Sequence, residues 1–344
     1  MKEEVKEVFV KERLGKVGGQ AVIEGIMMRG PESYTTAVRK PDGSIILDSH
    51  PNELRKKRPF FRLPVVRGFI SFIESMILSF STLSFAADAL EIEEETKFEK
   101  WLTRHMGKSL TGIIMTVGGV LGVALGVLLF IILPAWIAGG IAHPVWKRIA
   151  EGGIRIAIFI AYILLISLMG DIRRTFMYHG AEHKSIFCYE KGLPLTVENI
   201  RRQQRFHPRC GTSFMFLMMI VGIIIGLLIG LIPWVKGNQF VYILFKILLL
   251  PVTMGLGYEI IRYAGKHNNL FIRIVTKPGL WIQRITTKEP TDDMIEVAIV
   301  ALKSALPKVF PKESVFEGIT LPAPAEKAKE EAANETNGEE NSER

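Results

Sequence analysis

The stretch Tyr178-His179-Gly180-Ala181-Glu182-His183-Lys184 sets two imidazoles four residues apart with a carboxylate between them. On a helix, His179 and His183 lie one turn apart on one face and can reach a single ion, with Glu182 beside them. The order H-x-x-E-H is also that of the inverzincin metalloproteases, whose histidines hold zinc while the Glu polarises water. Those enzymes are large and soluble, so that likeness is taken as coincidence. Further along, His207-Pro208-Arg209-Cys210 offers a third imidazole and a thiol. Three of the seven histidines and both cysteines therefore fall between residues 179 and 210. Imidazole nitrogen and thiolate sulfur suit zinc, with another divalent ion as the alternative. The expected ligands are His179, His183, His207 and Cys210, with Cys188 a bystander. Glu182 is the expected general base, and Glu24 is its rival. A histidine pair at this spacing also arises where each ring simply bonds a backbone carbonyl. Local sequence does not separate a closed four-ligand structural site from an open three-ligand catalytic one.

A second constellation is Val17-Gly18-Gly19-Gln20-Ala21-Val22-Ile23-Glu24-Gly25-Ile26-Met27-Met28-Arg29-Gly30-Pro31. Read as a strand, it aligns Gln20, Glu24 and Met28 on one side and leaves Arg29 at the end. Glu24 then faces a site, with Gln20 and Arg29 as substrate-binding candidates; a bulged hairpin with an exposed Glu is the plainer alternative. The phosphate-loop spacing G-x-x-x-x-G-K-[ST] is absent. A third, weaker set is Glu259, Arg262, His267, Asn268 and Asn269, where an i,i+3 pair of Glu259 with Arg262 outweighs a ligand role.

The elements that must position these residues are mostly membrane helices. In 344 residues, 48% are apolar and 23% charged, with a mean hydropathy of +0.25. Ser109–Trp146 and Cys210–Val235 contain no Asp, Glu, Lys or Arg, and each exceeds the ~20 apolar residues that cross a bilayer. An ordinary soluble enzyme is excluded. Four spans are expected at about Thr111–Ala138, Ile154–Gly170, Ser213–Val235 and Phe240–Ile261. Pro64–Ala87 is apolar but carries Arg67 and Glu74, and reads as an interfacial or re-entrant helix rather than a fifth span. Residues 17–50 should form a small antiparallel sheet, with extended Ala21–Met28, Tyr34–Arg39 and Ser44–Leu47 and a turn at Pro41-Asp42-Gly43. Thr291-Asp292-Asp293 should cap an amphipathic helix to about Leu306, and the tail from about Pro322 should be disordered.

Charge orients this arrangement. The chain is +8 overall, and the segment from Glu326 onward is −4, so the remainder is +12. Residues 171–212 hold eight Lys or Arg, residues 139–153 two and residues 231–239 one. The positive-inside rule puts the long connection, and with it both termini, in the cytoplasm. Met1–Arg13 is charged and mixed in sign, unlike a cleavable signal. The basic excess suits anionic membrane lipids, and no motif points to specific DNA. Two cysteines make no disulfide framework.

Gly18–Arg29, Tyr178–Lys184, His207–Ser213 and Pro278-Gly279-Leu280-Trp281-Ile282-Gln283 together resemble the YqhQ-like bacterial membrane proteins, over about residues 15–306. That family is a domain of unknown function often labelled a predicted metal-dependent enzyme. The resemblance implies a multipass protein of the bacterial cytoplasmic membrane and a metal at the His-rich motif, without a substrate. The expectation is a four-span protein with a cytoplasmic metal site, acting, if an enzyme, as a metal-assisted hydrolase on a lipid or membrane-protein segment. Its rival is a non-enzymatic accessory subunit with a structural metal, docking a membrane partner such as the translocation or insertion machinery, or a ribosomal surface. A transporter is a weaker third, because only Lys246 and Glu259 could line a path.

Overall fold

In a computed structural model of the chain, residues 10–52, 63–90, 110–264, 270–311, 314–317 and 319 are described. His267, Asn268, Asn269 and the tail from Pro322 lie outside them. The N-terminal region is a four-stranded antiparallel meander, β1 (Gly18–Val22), β2 (Gly25–Arg29), β3 (Ser33–Arg39) and β4 (Ile45–Pro51), in the spatial order β1-β2-β3-β4. The expected single strand over Ala21–Met28 is instead a tight hairpin. Val22 pairs with Gly25, and Ile23-Glu24 forms the loop with Glu24 in the left-handed region at φ 48°. A Cβ at Gly25 would stand 2.4 Å from the Ala37 carbonyl oxygen, so only glycine lets β2 approach β3 there. The turn also separates Gln20, Glu24 and Met28, which do not share a face.

Period-two alternation gives the sheet two buried faces. Ile26, Met28, Ala37 and Ile45 point into the main core, while Val22 and Val38 pack against Ala86 and Ala89 of α1 (Val66–Ala89). The main core is completed by α4 (Gly170–Glu190), the single turn α5 (Val197–Arg201) and α10 (Asp292–Ser304). Residues Met294, Ile295 and Val297–Leu302 are all buried. The helix expected after Thr291 is present; the sheet and α4 bury most of it, while Asp292 and Asp293 stay exposed and Glu296 half-buried on its polar side.

The remaining helices form the apolar part. α2 (Leu110–Val127) runs on through a π-helical stretch (Leu128–Ile132) into one further α turn (Leu133–Ile137). It is followed by α3 (Pro144–Ile166), α6 (Gly211–Gly230), α7 (Gln239–Leu248), α8 (Leu250–Ala264) and α9 (Leu270–Thr286). α6 is the hub, packed on α3, α7, α8 and α9. Among the described residues, Val66–Ala89, Gly118–Gly140, Pro144–Ile166 and Gly211–Gly230 are each long and apolar enough to cross a membrane. The expected straight span over 240–261 is instead the bent pair α7–α8, with a 51° break.

One boundary and one ion pair differ from the sequence reading for electrostatic reasons. α3 starts at Pro144, ten residues before the expected span, because Arg148, Glu151 and Arg155 pair within the helix at i,i+3 and i,i+4 instead of ending it. Glu259 pairs directly with Arg67 of α1 (Nε–Oε1 2.5 Å), and Arg262 acts on it only through charge. α1 itself is one unbroken helix. Its first turns lie on α8, where Gly68 meets Gly255 backbone to backbone, and Phe72 meets Phe214 of α6. Its last turns rest on the sheet.

Candidate metal centre

α4 carries the H-x-x-E-H motif into the interface between the main core and the first turn of α6. The Nε2 side of His179 faces Cys210 Sγ at 3.2 Å, and the His179 and His183 ring centroids are 4.4 Å apart. His179, His183 and Cys210 can each offer a ligand atom such that all three lie within 4.8 Å of one another. Each imidazole is fixed by its other nitrogen. His179 Nδ1–H donates to the Thr286 carbonyl at 2.9 Å, and His183 Nδ1–H to the Arg205 carbonyl at 2.5 Å. Such outer partners set the tautomer that turns Nε2 toward an ion. Cys210 is the N-cap of α6 and accepts from the Thr212 amide at 3.4 Å. Burial raises its thiol, but hydrogen bonding and charge from His183 and bonds from Thr212 outweigh that and lower it below the ordinary value. A lowered thiol at a helix N-terminus is poised to be a thiolate ligand.

His207 was expected as a ligand and stands outside the trio. Its ring lies 5.5 Å from that of His183 and meets the Phe187 ring at a tilt of 59°, with centroids 4.7 Å apart. Nε2 faces Glu190 Oε2 at 3.9 Å. Glu190 also bonds Arg209 and accepts from the Gly15 amide at 2.7 Å. The backbone of His207 is clamped by Gln283, which accepts from its amide at 2.7 Å and donates to its carbonyl at 2.8 Å and to Ser213 Oγ at 3.0 Å. Gln283 is fully buried. Only its place in the Pro278–Gln283 motif marked it, because its role is to join its own helix to the 207–213 segment some seventy residues away. Cys188 is buried, with its thiol donating to the Pro194 carbonyl at 3.4 Å; burial pushes it up to about 11, the state of an inert thiol.

Glu182 is 4% exposed and lies 4.0 Å from His179 Nε2, with its Oε2 unpaired among the described residues. Burial pushes its carboxyl up to about 8, with His179 opposing and Cys210 adding to the rise. The second glycine of the Gly18-Gly19-Gln20 motif makes room for it. A Cβ on Gly19 would come within 3.0 Å of Glu182 Cγ and 2.7 Å of the Met27 carbonyl oxygen. Gln20, one residue on, faces the other way: its Nε2 donates to Thr82 Oγ1 at 2.5 Å and its Oε1 accepts from Ser79. It ties β1 to α1. Arg29 reaches Asn52 Oδ1 at 3.0 Å. Glu24 holds Arg174 through both oxygens (2.5 and 2.6 Å) and accepts from Tyr178 at 3.2 Å. None of these three joins the cluster. The strand reading put Glu24 inside an element, whereas the hairpin turns it outward onto α4.

The raised Glu182 carboxyl gives a pH expectation. A group whose folded pKa lies above its unfolded value near 4.5 binds more protons when folded, so stability falls as pH climbs from there through about 8. Metal-free protein should therefore lose thermal stability across that window, and Glu182→Gln should flatten the decline. Melting curves from pH 5 to 8.5 in chelator check this; equal slopes in both proteins would contradict it.

A protein-family model described as a protein of unknown function (DUF1385) matches residues 63–308. The chain is 34% identical over 299 residues to the uncharacterized protein YqhQ of Bacillus subtilis (strain 168), covering 84% of this chain and 92% of that one. No solved structure matches.

Proposed function

The chain belongs to the DUF1385 family of proteins of unknown function, which lends it no activity, and we propose one from its geometry. It is an integral protein of the bacterial cytoplasmic membrane whose cytoplasmic face carries a zinc site, held by His179, His183 and Cys210, that hydrolyses a lipid or membrane-protein substrate. The observation that carries this reading is a three-ligand cluster beside a buried carboxylate with an unpaired oxygen. Three protein ligands plus an open position is the pattern of catalytic rather than structural zinc. Zinc there would supply Lewis-acid polarisation and a water acidic enough to ionise near neutrality. With the charge of a bound ion beside it holding its carboxyl ionised, Glu182 would take the proton from a nucleophilic water through Oε2 and return it to a leaving group. Thr286 and Arg205 hold the imidazoles through their carbonyls, and the clamp of Gln283 on His207 and Ser213 keeps the start of α6 against α4.

X-ray absorption on zinc-loaded protein tests this reading. Two nitrogens, one sulfur and one exchangeable oxygen are expected. Four protein ligands would favour the accessory-subunit reading, to which the uncovered apolar face of α1 otherwise gives some support. Met76, Ile77, Phe80 and Leu83 on that face are 44–66% exposed. Because α1 leaves the bundle beside Phe214 and ends on the soluble sheet, it suits a helix lying in the membrane surface more than a crossing.

Topology follows from this placement. With residues 171–212 on the cytoplasmic side, reporters fused after Arg201 and after Lys303 should both read cytoplasmic, and one near Gly237 external. A non-cytoplasmic signal at Arg201 would overturn the orientation.

A further inference from the structure

Between residues 110 and 170, and again between 211 and 258, the only Asp or Glu is Glu151. Three cations converge on it. Arg148 Nη1 lies 3.3 Å from Oε2, Arg155 Nη2 lies 2.9 Å from Oε1, and Lys246 Nζ bonds Oε1 as well. All four side chains are buried, none more than 8% exposed. Tyr242 lies under Arg148, its ring 3.3 Å from the guanidinium carbon, and Arg155 Nε donates to the Phe130 carbonyl at 2.5 Å. Both contacts spread charge, and neither cancels it. The cluster keeps an excess of two positive charges.

Its depth makes that excess costly. Arg155 lies alongside Gly222, eleven residues into α6, or about 16 Å along the helix and near the middle of a ~30 Å hydrocarbon layer. Uncompensated charge at that depth marks a binding or transport path more often than a structural need. Arg155 and Lys246 also line a cavity of about 440 Å³ whose other walls are apolar apart from Tyr162 and Thr253, among them Phe72, Phe130, Phe159 and Met218. Phe130 and Ile131 of that wall belong to the π-helical stretch of α2, a distortion that recurs at functional sites.

We propose that this cavity binds a single-chain anionic amphiphile, a long-chain carboxylate, with its anion on Arg155 and Lys246 and its hydrocarbon chain along the aromatic and methionine walls. The two excess cations select the anion. The volume selects one chain over two: at roughly 30 Å³ for each water-sized group, the space holds about fifteen such groups, most of the roughly twenty heavy atoms of an eighteen-carbon carboxylate and far fewer than a two-chain lipid brings.

The test uses the full chain in a nonionic detergent, with isotope-labelled oleate as probe and unlabelled competitors. Oleate is expected to bind at one site, and oleyl alcohol, with the same chain and no charge, to compete at least tenfold more weakly. Arg155→Met should weaken oleate at least tenfold while leaving Glu151 paired with Arg148 and Lys246. Gly126 lines the cavity, and nothing stands within 4 Å of a Cβ built there, so Gly126→Phe should fill the space and abolish binding with every charge intact. Equal competition by the alcohol would overturn the proposal. So would full binding by both variants, or displacement of oleate by dioleoylphosphatidylglycerol at equal concentration, which would make the ligand a two-chain lipid.

Discussion

Purified His183→Ala protein is expected to contain a small fraction of the wild-type zinc, with affinity reduced well beyond the roughly 10–100-fold typical when only an outer-shell partner is lost. The reason is the ligand count. With His183 gone, His179 and Cys210 are what remains of the trio, and two ligands hold zinc far more weakly than three. Three companion variants sort the neighbourhood. Cys210→Ser should fall as far as His183→Ala, because the hydroxyl that replaces the thiolate is not ionised. Cys188→Ser should keep its metal, since that thiol donates to Pro194 instead. His207→Ala should retain most of its zinc, because His207 faces Glu190 rather than the ligand cluster. Elemental analysis after gel filtration reads all four. Full occupancy in His183→Ala would reduce the cluster to packing and hydrogen bonding, and the hydrolase reading would go with it.

How much of this was legible beforehand depends on the range of the interaction concerned. His179 and His183 were visible because helical spacing is a local property, and α4 presents both rings to one point as that spacing requires. Cys210 was visible by chemistry and by its place before an apolar run. The choice between Cys210 and His207 was not, because two residues separate them and only the tertiary clamp of Gln283 decides which one turns inward. Long apolar runs marked α2 and α6, since lipid-facing helices need little beyond length and hydropathy. Charged residues misled in α3. Arg148 and Glu151 read as loop and Arg155 as the edge of the span, whereas in the fold all three pair within one helix, and Arg155 lines a cavity with Lys246. Glu24 misled for a different reason. A two-residue hairpin with a non-glycine residue at positive φ is rare enough that a continuous strand was the natural reading. Its bond to Arg174, 150 residues away, could not be seen in sequence.

Gly180, inside the same motif, is expected to matter nearly as much as the ligands, although it offers nothing to a metal. A Cβ at this position would stand 2.0 Å from the Lys288 carbonyl oxygen and 3.5 Å from Pro290 Cδ. The 286–290 segment passes close over α4 there, with the Lys288 amide donating to the Phe176 carbonyl at 2.8 Å and the Thr286 carbonyl accepting from His179 at 2.9 Å. Gly180→Ala must push that segment away or tilt α4. Overpacking of this kind costs about 1–3 kcal/mol, and here the displaced segment is the one that holds the His179 ring. Two losses should therefore appear together: a lower melting temperature in metal-free protein, and zinc affinity reduced by about 10–100-fold, the usual result when an imidazole loses its outer partner. Gly153→Ala is the control. It is also a helical glycine, but nothing lies within 4 Å of the added methyl, so it should be neutral or slightly stabilising through the unfolded chain. Should Gly180→Ala lower stability while zinc affinity stays at the wild-type value, the Thr286 carbonyl is not what orients His179, and the trio holds its geometry without that support.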